Sequence, residues 1–271
     1  MSVPPLSLCQ LAFPHTTFAE DVDLCRRLAY DGISVDERKL DRAGSVSPGA
    51  FAETGLKAAV CTPGLLTILP APEFPEPLDV AARVALIADG IRKLAPYGPE
   101  SVMVCTGPAG AYSDARALVA GKVRDLQKVA ADLGTRVAVE PMRVDNRDTF
   151  SFLTELSDTV DFVRSIDPGV AVVFDTWHMW DTPDLASLLP DVLPALAGIQ
   201  VSDYRPGTRS DLRFMPGDGE ADLPSLFATF RRAGYAGWLD VEIFSTELWA
   251  LPPAEFLTRA RAGTLACWGT P

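Results

Sequence analysis

Asp175-Thr-Trp-His178 closes an apolar run, Val170-Ala-Val-Val-Phe174, and sets a carboxylate and an imidazole three residues apart just past its end. Three further apolar runs carry polar groups in the same way: 135–140 ends in Glu140, 196–203 passes through Gln200, and 238–244 passes through Glu242. Together they offer three carboxylates and one carboxamide. Carboxylates brought close raise one another's pKa unless a cation neutralises them. A donor set made only of oxygen favours a hard divalent ion such as Mn²⁺ or Mg²⁺ over Zn²⁺.

Other residues near these run ends have chemistry to offer. His178 is one of only two histidines, and its position suits a fifth metal ligand, a hydrogen-bonding group for a substrate, or a structural histidine. Trp177, Trp180 and Trp249 suit the apolar face of a sugar ring or simple packing. Arg205, Arg209 and Arg213 precede the turn 214–220 and can pair with an anionic substrate group, with Arg213 the best placed. Glu37 and Arg143, also at run ends, are secondary candidates for a pocket wall.

For these groups to meet, the runs must be parallel strands whose C-terminal ends share one rim. Strands are expected at 7–13, 33–37, 56–61, 101–105, 135–140, 170–175, 196–203 and 238–244. Helical patterns lie between most of them: 16–30 with a capping threonine pair, 78–94, 115–133 ending at Gly134, 150–166, 184–196, 223–233 and 253–265. The segment 62–77 contains five prolines and reads as a stiff, irregular lid. Eight strand-plus-helix units close most economically as a single (β/α)₈ TIM barrel over residues 1–271. A doubly wound sheet is disfavoured because no GxGxxG follows the first strand.

Composition narrows the function. A formal net charge of −12 without a basic cluster argues against nucleic acid as a partner. No run approaches the ~20 apolar residues of a membrane span, and Met1-Ser-Val-Pro-Pro lacks the pattern of a signal peptide. A cytoplasmic protein is expected, with its five scattered cysteines reduced and mostly buried. Exposed barrel helices often pair, which leaves room for a homo-oligomer without specifying one.

The stretches Val-Glu140-Pro-Met, Phe-Asp175-Thr-Trp-His178, Ile-Gln200-Val-Ser-Asp203, Met-Pro-Gly-Asp-Gly-Glu220 and Gly234-Tyr-Ala-Gly-Trp-Leu-Asp-Val-Glu242 resemble the xylose isomerase-like TIM barrel superfamily over nearly the full chain. This superfamily includes sugar phosphate isomerases and epimerases and family 2 AP endonucleases. The resemblance implies one divalent metal, Mn²⁺ first and Mg²⁺ or Co²⁺ as alternatives, held by Glu140, Asp175, Gln200 and Glu242. Many of the epimerases have histidine at the third position; hydroxypyruvate isomerase-like members share the glutamine. Glu140 and Glu242 are implied as the acid–base pair, moving a proton next to a carbonyl through an enediolate, with His178, Arg213, Trp177 and Trp249 around a small carbohydrate or keto acid. A lyase resembling inosose dehydratase uses the same first step and is the alternative. A DNA-cleaving relative, with many histidines and a basic face, fits neither the two histidines nor the charge. A non-catalytic sugar-binding barrel would be expected to have lost a ligand, and all four positions carry oxygen donors.

Overall fold

The computed structural model describes residues 3–269. Nine strand segments pair, all parallel, in the order β3-β2-β1-β9-β8-β7-β6-β5-β4. The two ends of this order are halves of one pass. β3 (Lys57–Ala58) pairs with β2 (Gly32–Ser34), whereas β4 (Val60–Cys61) pairs with β5 (Ser101–Val104). Ala59 between them donates to Ile33 O at 3.1 Å and accepts from Ser101 N at 3.3 Å, so the ring closes as eight passes. The remaining strands are β1 (Leu6–Cys9), β6 (Val137–Val139), β7 (Ala171–Asp175), β8 (Leu196–Val201) and β9 (Trp238–Val241). Closure leaves no open sheet edge among the described residues.

The helices α1 (Phe18–Arg27), α2 (Pro48–Glu53), α3 (Val80–Leu94), α4 (Ala115–Asp132), α5 (Leu156–Ile166), α6 (Thr176–Met179), α7 (Leu185–Val192), α8 (Leu223–Arg232) and α9 (Pro253–Trp268) follow the strands. Local chemistry sets several ends. Thr17 and Glu20 form a reciprocal capping box at the start of α1. Gly134, at φ 77°, lets Thr135 N reach back to Ala130 O at 3.0 Å and stops α4 where the sequence predicts.

Two helical expectations change, and two short helices are added. The segment predicted helical from 150 becomes helix only at Leu156, because Ser151 bridges to Gly107 and Phe152 N bonds Gly107 O at 3.2 Å. The helix predicted to reach 196 ends at Val192, and a 3₁₀ turn containing Pro194 leads into β8. The short α2 and the one-turn α6 have no counterpart in the periodicity, being too short to display one.

Two apolar cores flank the strands. The larger packs the strands' outer faces, including Leu8, Ile33, Val104, Val139, Val172, Ile199 and Val241, against the helices. The smaller fills the barrel on one side with Val60, Leu66, Met103, Ala138, Ala171, Val173 and Ala197. The proline-rich segment 62–77 is less a flap than an extension of the barrel: Ile68 N and Leu69 N bond Cys105 O and Thr106 O at 3.0 and 2.9 Å. Arg83 on α3, fully buried, clamps it by donating to Thr67 O and Pro77 O, each at 3.0 Å, and to Thr67 Oγ1 at 2.5 Å.

Substituting Arg83 with Met strands these acceptors, each costing about 1–3 kcal/mol when left unmet. We expect Arg83→Met to lower the urea midpoint by an amount worth about 2–3 kcal/mol and to expose segment 62–77 to limited proteolysis. An unchanged midpoint would mean that the segment's apolar contacts hold it alone.

Candidate active site

The register delivers the polar residues to one level of the rim. Asp175 pairs across from Gln200, and Gln200 across from Asp240, so Glu242 stands two residues past that level, directly after β9. Glu140 follows β6 directly, its N–H bonding Val104 O at 3.2 Å. All four are buried. Single ligand atoms of Glu140, Asp175 and His178 lie within 4.8 Å of one another. Gln200 Nε2 donates to Glu242 Oε1 at 2.9 Å. The two glutamates follow strands three apart in the ring, and both line the cavity at the mouth.

Arg213 is the counter-ion. Its Nη1 donates to Asp175 Oδ2 at 2.6 Å and to Glu242 Oε2 at 3.0 Å. Burial pulls the guanidinium pKa down, but Asp175, Glu242 and Glu140 outweigh it and the group stays charged. The loop after β8 is built to bring it there. Asp203 accepts from Gly217 N at 2.8 Å and Ala221 N at 3.2 Å, Arg213 N bonds Phe244 O at 2.7 Å, and a Cβ at Gly219 would collide with the Asp203 carboxylate. Arg205 and Arg209, by contrast, are spent on Asp218 O and on Asp211. None of the three arginines is left as a free anion site.

His178 is set by α6. Asp175 Oδ1 caps this turn by accepting from Trp177 N at 2.8 Å. The imidazole Nδ1 accepts from Arg143 N at 3.1 Å, so the proton sits on Nε2, 3.7 Å from Asp175 Oδ2. Burial holds the ring's pKa down to about 3, so it is neutral and presents a donor, not a lone pair, to the acids. Among the three readings of this histidine, the tautomer favours hydrogen bonding over metal ligation.

The remaining candidates lie apart. Trp177 packs edge-on against His178 and Tyr204 and under the Arg213 guanidinium, supporting that residue from behind. Trp249 donates to Ala12 O at 3.0 Å and packs on His15 and Phe244, outside the acidic cavity. Trp180 stacks on Tyr204. Arg143 pairs with Asp181 behind His178, and Glu37 bonds Gly64 N and Lys93.

Two contacts escaped the sequence reading. Cys9 Sγ donates to Glu242 Oε1 at 3.4 Å and Cys105 Sγ to Glu140 Oε2 at 3.6 Å, giving each glutamate a thiol from a neighbouring part of the barrel. Strand alternation could have pointed to both, since Cys9 ends β1 and Cys105 directly follows β5 at the same rim.

The electrostatics explain what such a mouth can do. Burial pushes Glu140 well above the usual glutamate range, with Glu242 and Asp175 adding to the rise. Glu242 is also raised, by burial first, although Arg213 opposes it. Carboxyls with pKa values moved toward neutrality can both give and take protons. The residues also fit a hard divalent cation: one guanidinium offsets only part of three buried carboxylates, and Gln200 Oε1 is buried without a hydrogen-bond partner among the described residues. The cavity over this floor is about 260 Å³, lined by Glu140, His178, Arg213 and Glu242 below and largely apolar side chains above.

A closed ring of parallel strands surrounded by helices defines a TIM barrel, and its acidic, arginine-bridged cluster lies at the C-terminal rim, where such barrels place their sites. Residues 22–263 match the xylose isomerase-like TIM barrel family, and the chain belongs to it. The 3-dehydro-D-guloside 4-epimerase of Escherichia coli (strain K12) is 27% identical over 164 residues, 60% of this chain and 57% of that enzyme. The match therefore spans little more than half of the relative's length. E. coli 3-keto-D-glucoside 4-epimerase, YcjR, in its apo form, superposes with TM-score 0.74 at 21% identity, covering 98% of this chain and all (100%) of the other. IolI protein with a bound zinc atom gives TM-score 0.78 at 15% identity over 97% of this chain and 98% of the other. Both structures share the fold.

No helix among the described residues is long and apolar enough to cross a membrane. Met1 and Ser2, on which the signal-peptide reading partly rests, lie outside the described residues.

Below the floor, Asp240 is wholly buried; Ser7 Oγ donates to its Oδ1 at 2.5 Å, and its Oδ2 has no partner among the described residues. Burial pushes it up to about 7. The folded chain thus keeps a proton that the unfolded chain releases near pH ~4. This stabilisation is full below that range and is lost as pH rises through 7. His178 has the opposite sign: held neutral, it contributes above its ordinary value of ~6.5 and loses that contribution as pH falls toward 3. We expect Asp240→Asn to flatten the decline in Tm of the metal-free protein between about pH 5 and pH 8. Parallel curves for the two proteins would show that Asp240 does not titrate there.

Proposed function

We propose that this chain is a divalent-metal-dependent sugar isomerase or epimerase that moves a proton α to a carbonyl. The observation that carries the reading is the pair of buried, up-shifted carboxyls, Glu140 and Glu242, lining one cavity together with His178 and Arg213. One glutamate takes the α-proton from one face of the substrate, and the other returns a proton from the opposite face. His178 offers its Nε2–H to a substrate oxygen, held in direction by Arg143 N on the far side of the ring. Arg213 keeps Asp175 and Glu242 oriented through Nη1, while nothing among the described residues accepts from its Nη2. That nitrogen is free for a substrate oxygen.

Glu140, Asp175, Gln200 and Glu242 would hold the cation, with Mn²⁺ the first choice for an all-oxygen set and Mg²⁺ or Co²⁺ as alternatives. When bound, it supplies electrophilic stabilisation of the charge that develops on the substrate's carbonyl and hydroxyl oxygens as the enediolate forms. Gln200 would serve through Oε1, the atom now without a partner. The substrate is a small carbohydrate, and the site needs neither nucleic acid nor membrane. The names of the relatives, a guloside epimerase and a keto-glucoside epimerase, favour epimerisation over the dehydratase-like lyase alternative and over a non-catalytic sugar-binding barrel.

Two measurements test this. Elemental analysis of the purified protein is expected to give near-stoichiometric divalent metal, reduced in Glu242→Gln. Keto-sugars incubated in deuterated water are expected to gain deuterium next to the carbonyl, with Glu140→Gln and Glu242→Gln each slowing exchange by about 10²–10⁴-fold. Absence of metal after soaking with Mn²⁺, together with no exchange, would rule the mechanism out.

A further inference from the structure

The cavity has two unlike halves. Its floor is the polar cluster of Glu140, His178, Arg213 and Glu242; the rest of the lining is mainly apolar, with Leu11, Phe74, Met142, Phe150 and Phe244 prominent and Asn146 and Ser210 as uncharged polar members. Phe74, carried on the turn of segment 62–77, meets Phe150 edge to face with centroids 5.9 Å apart, so two loops from different units build one aromatic roof. Leu11, Phe74 and Phe150 also pack on the barrel's inner core, which makes this wall continuous with buried apolar structure.

The charged groups at the mouth have a consistent sense. Glu73 and Asp211 join Glu140 and Glu242 on the lining, giving four carboxyls. The lining has two guanidinium groups, both paired with the chain's own acids, with Arg213 Nη2 left over at the floor. Arg38 gives Nε and Nη2 to Asp36 at 2.8–3.1 Å, and Arg213 is engaged with Asp175 and Glu242. Away from the floor, a phosphate or carboxylate meets no unpaired positive group on the lining: Arg38 is held by Asp36, and the carboxyls of Glu73 and Asp211 oppose an anion there. A sugar with hydroxyls all around fits less well than one with an apolar end, because beside a few polar groups such as Asn146 and Ser210 the upper half is mostly C–H surface, where hydroxyls lose water without gaining partners.

Resting on the proposed proton-transfer reading of the same floor, we infer that the substrate is an uncharged keto-sugar carrying an apolar substituent, such as a glycoside with a small hydrophobic aglycone. The keto-sugar faces the glutamates, and the substituent lies against Phe74 and Phe150. Discrimination then comes from two sources: apolar burial at the roof draws the substituted sugar in, and the carboxyl-lined mouth turns anions away.

Three probes separate these effects: phenyl 3-keto-β-D-glucopyranoside, its methyl counterpart, and 3-keto-D-glucose 6-phosphate, each titrated calorimetrically into the Mn²⁺-supplemented protein and each assayed for solvent deuterium uptake. The phenyl glycoside is expected to bind about tenfold or more tightly than the methyl glycoside, as burial of one ring predicts, and the phosphate ester to bind weakest. Phe150→Ala is expected to remove most of the phenyl preference, and Phe74→Ser does the same from the other side of the roof. Phenyl and methyl glycosides of equal affinity, or a phosphate ester that binds as well as either, overturn the inference even if deuterium exchange proceeds. The phenyl preference with no exchange on any probe leaves the pocket assignment standing and removes the epimerase reading. No binding of any probe removes both.

Discussion

Three carboxyl groups in the dry mouth of one barrel are the problem that this structure has to solve, and the contact of Arg213 with Asp175 and Glu242 is the central part of the solution. Without a cation, each carboxylate raises the others and the cluster protonates or opens. The guanidinium supplies a charge that burial cannot remove and donors that orient two acids at once. Much nearby architecture follows from placing it. Asp203 gathers the amides of the turn after β8, Gly219 leaves the room Asp203 needs, and the peptide of Arg213 is fastened to the end of β9. Trp177 and Phe244 sheathe the guanidinium with rings, which limits the routes by which it can swing away.

The barrel interior is divided to serve the same end. On the side of β5, β6 and β7 it is filled with Met103, Ala138 and Val173; toward β1, β2 and β9 it holds Ser7, Ser34 and Asp240. A wholly apolar lumen would make the glutamates above it still harder to ionise, and a wholly polar one would not pack. Cys9 and Cys105 stand at the boundary, weak donors that satisfy a carboxylate oxygen without bringing in another charge. The same asymmetry continues upward into the cavity, where a polar floor meets an aromatic roof.

Much of this was legible before any coordinates. The barrel, the parallel strands and the four rim positions follow from apolar runs that end in Glu140, Asp175, Gln200 and Glu242, because burial on both faces leaves a strand only its end for polar chemistry. The capping box at Thr17 and the stop at Gly134 are local backbone chemistry and read directly. The tryptophans were not separable by type: Trp177 and Trp249 look alike in sequence, yet one supports Arg213 and the other ties the end of the barrel to Ala12 O. Short helices such as α6 contain too few residues to show a period, although α6 is what aims His178.

What the sequence determined by itself was therefore the alternation of elements, the level at which acids emerge, and the acidic balance of the chain. Those properties are written in neighbouring residues and in summed charge. Only the tertiary structure decided that Arg213 is consumed by the chain's own acids, that His178 presents a proton and not a lone pair, and that Phe74 and Phe150 meet over the floor. Each of these depends on a contact between residues far apart along the chain, between Arg213 and Asp175, between His178 and Arg143, and between two loops of different units. Spacing in the sequence has no way to encode the angle at which such groups approach.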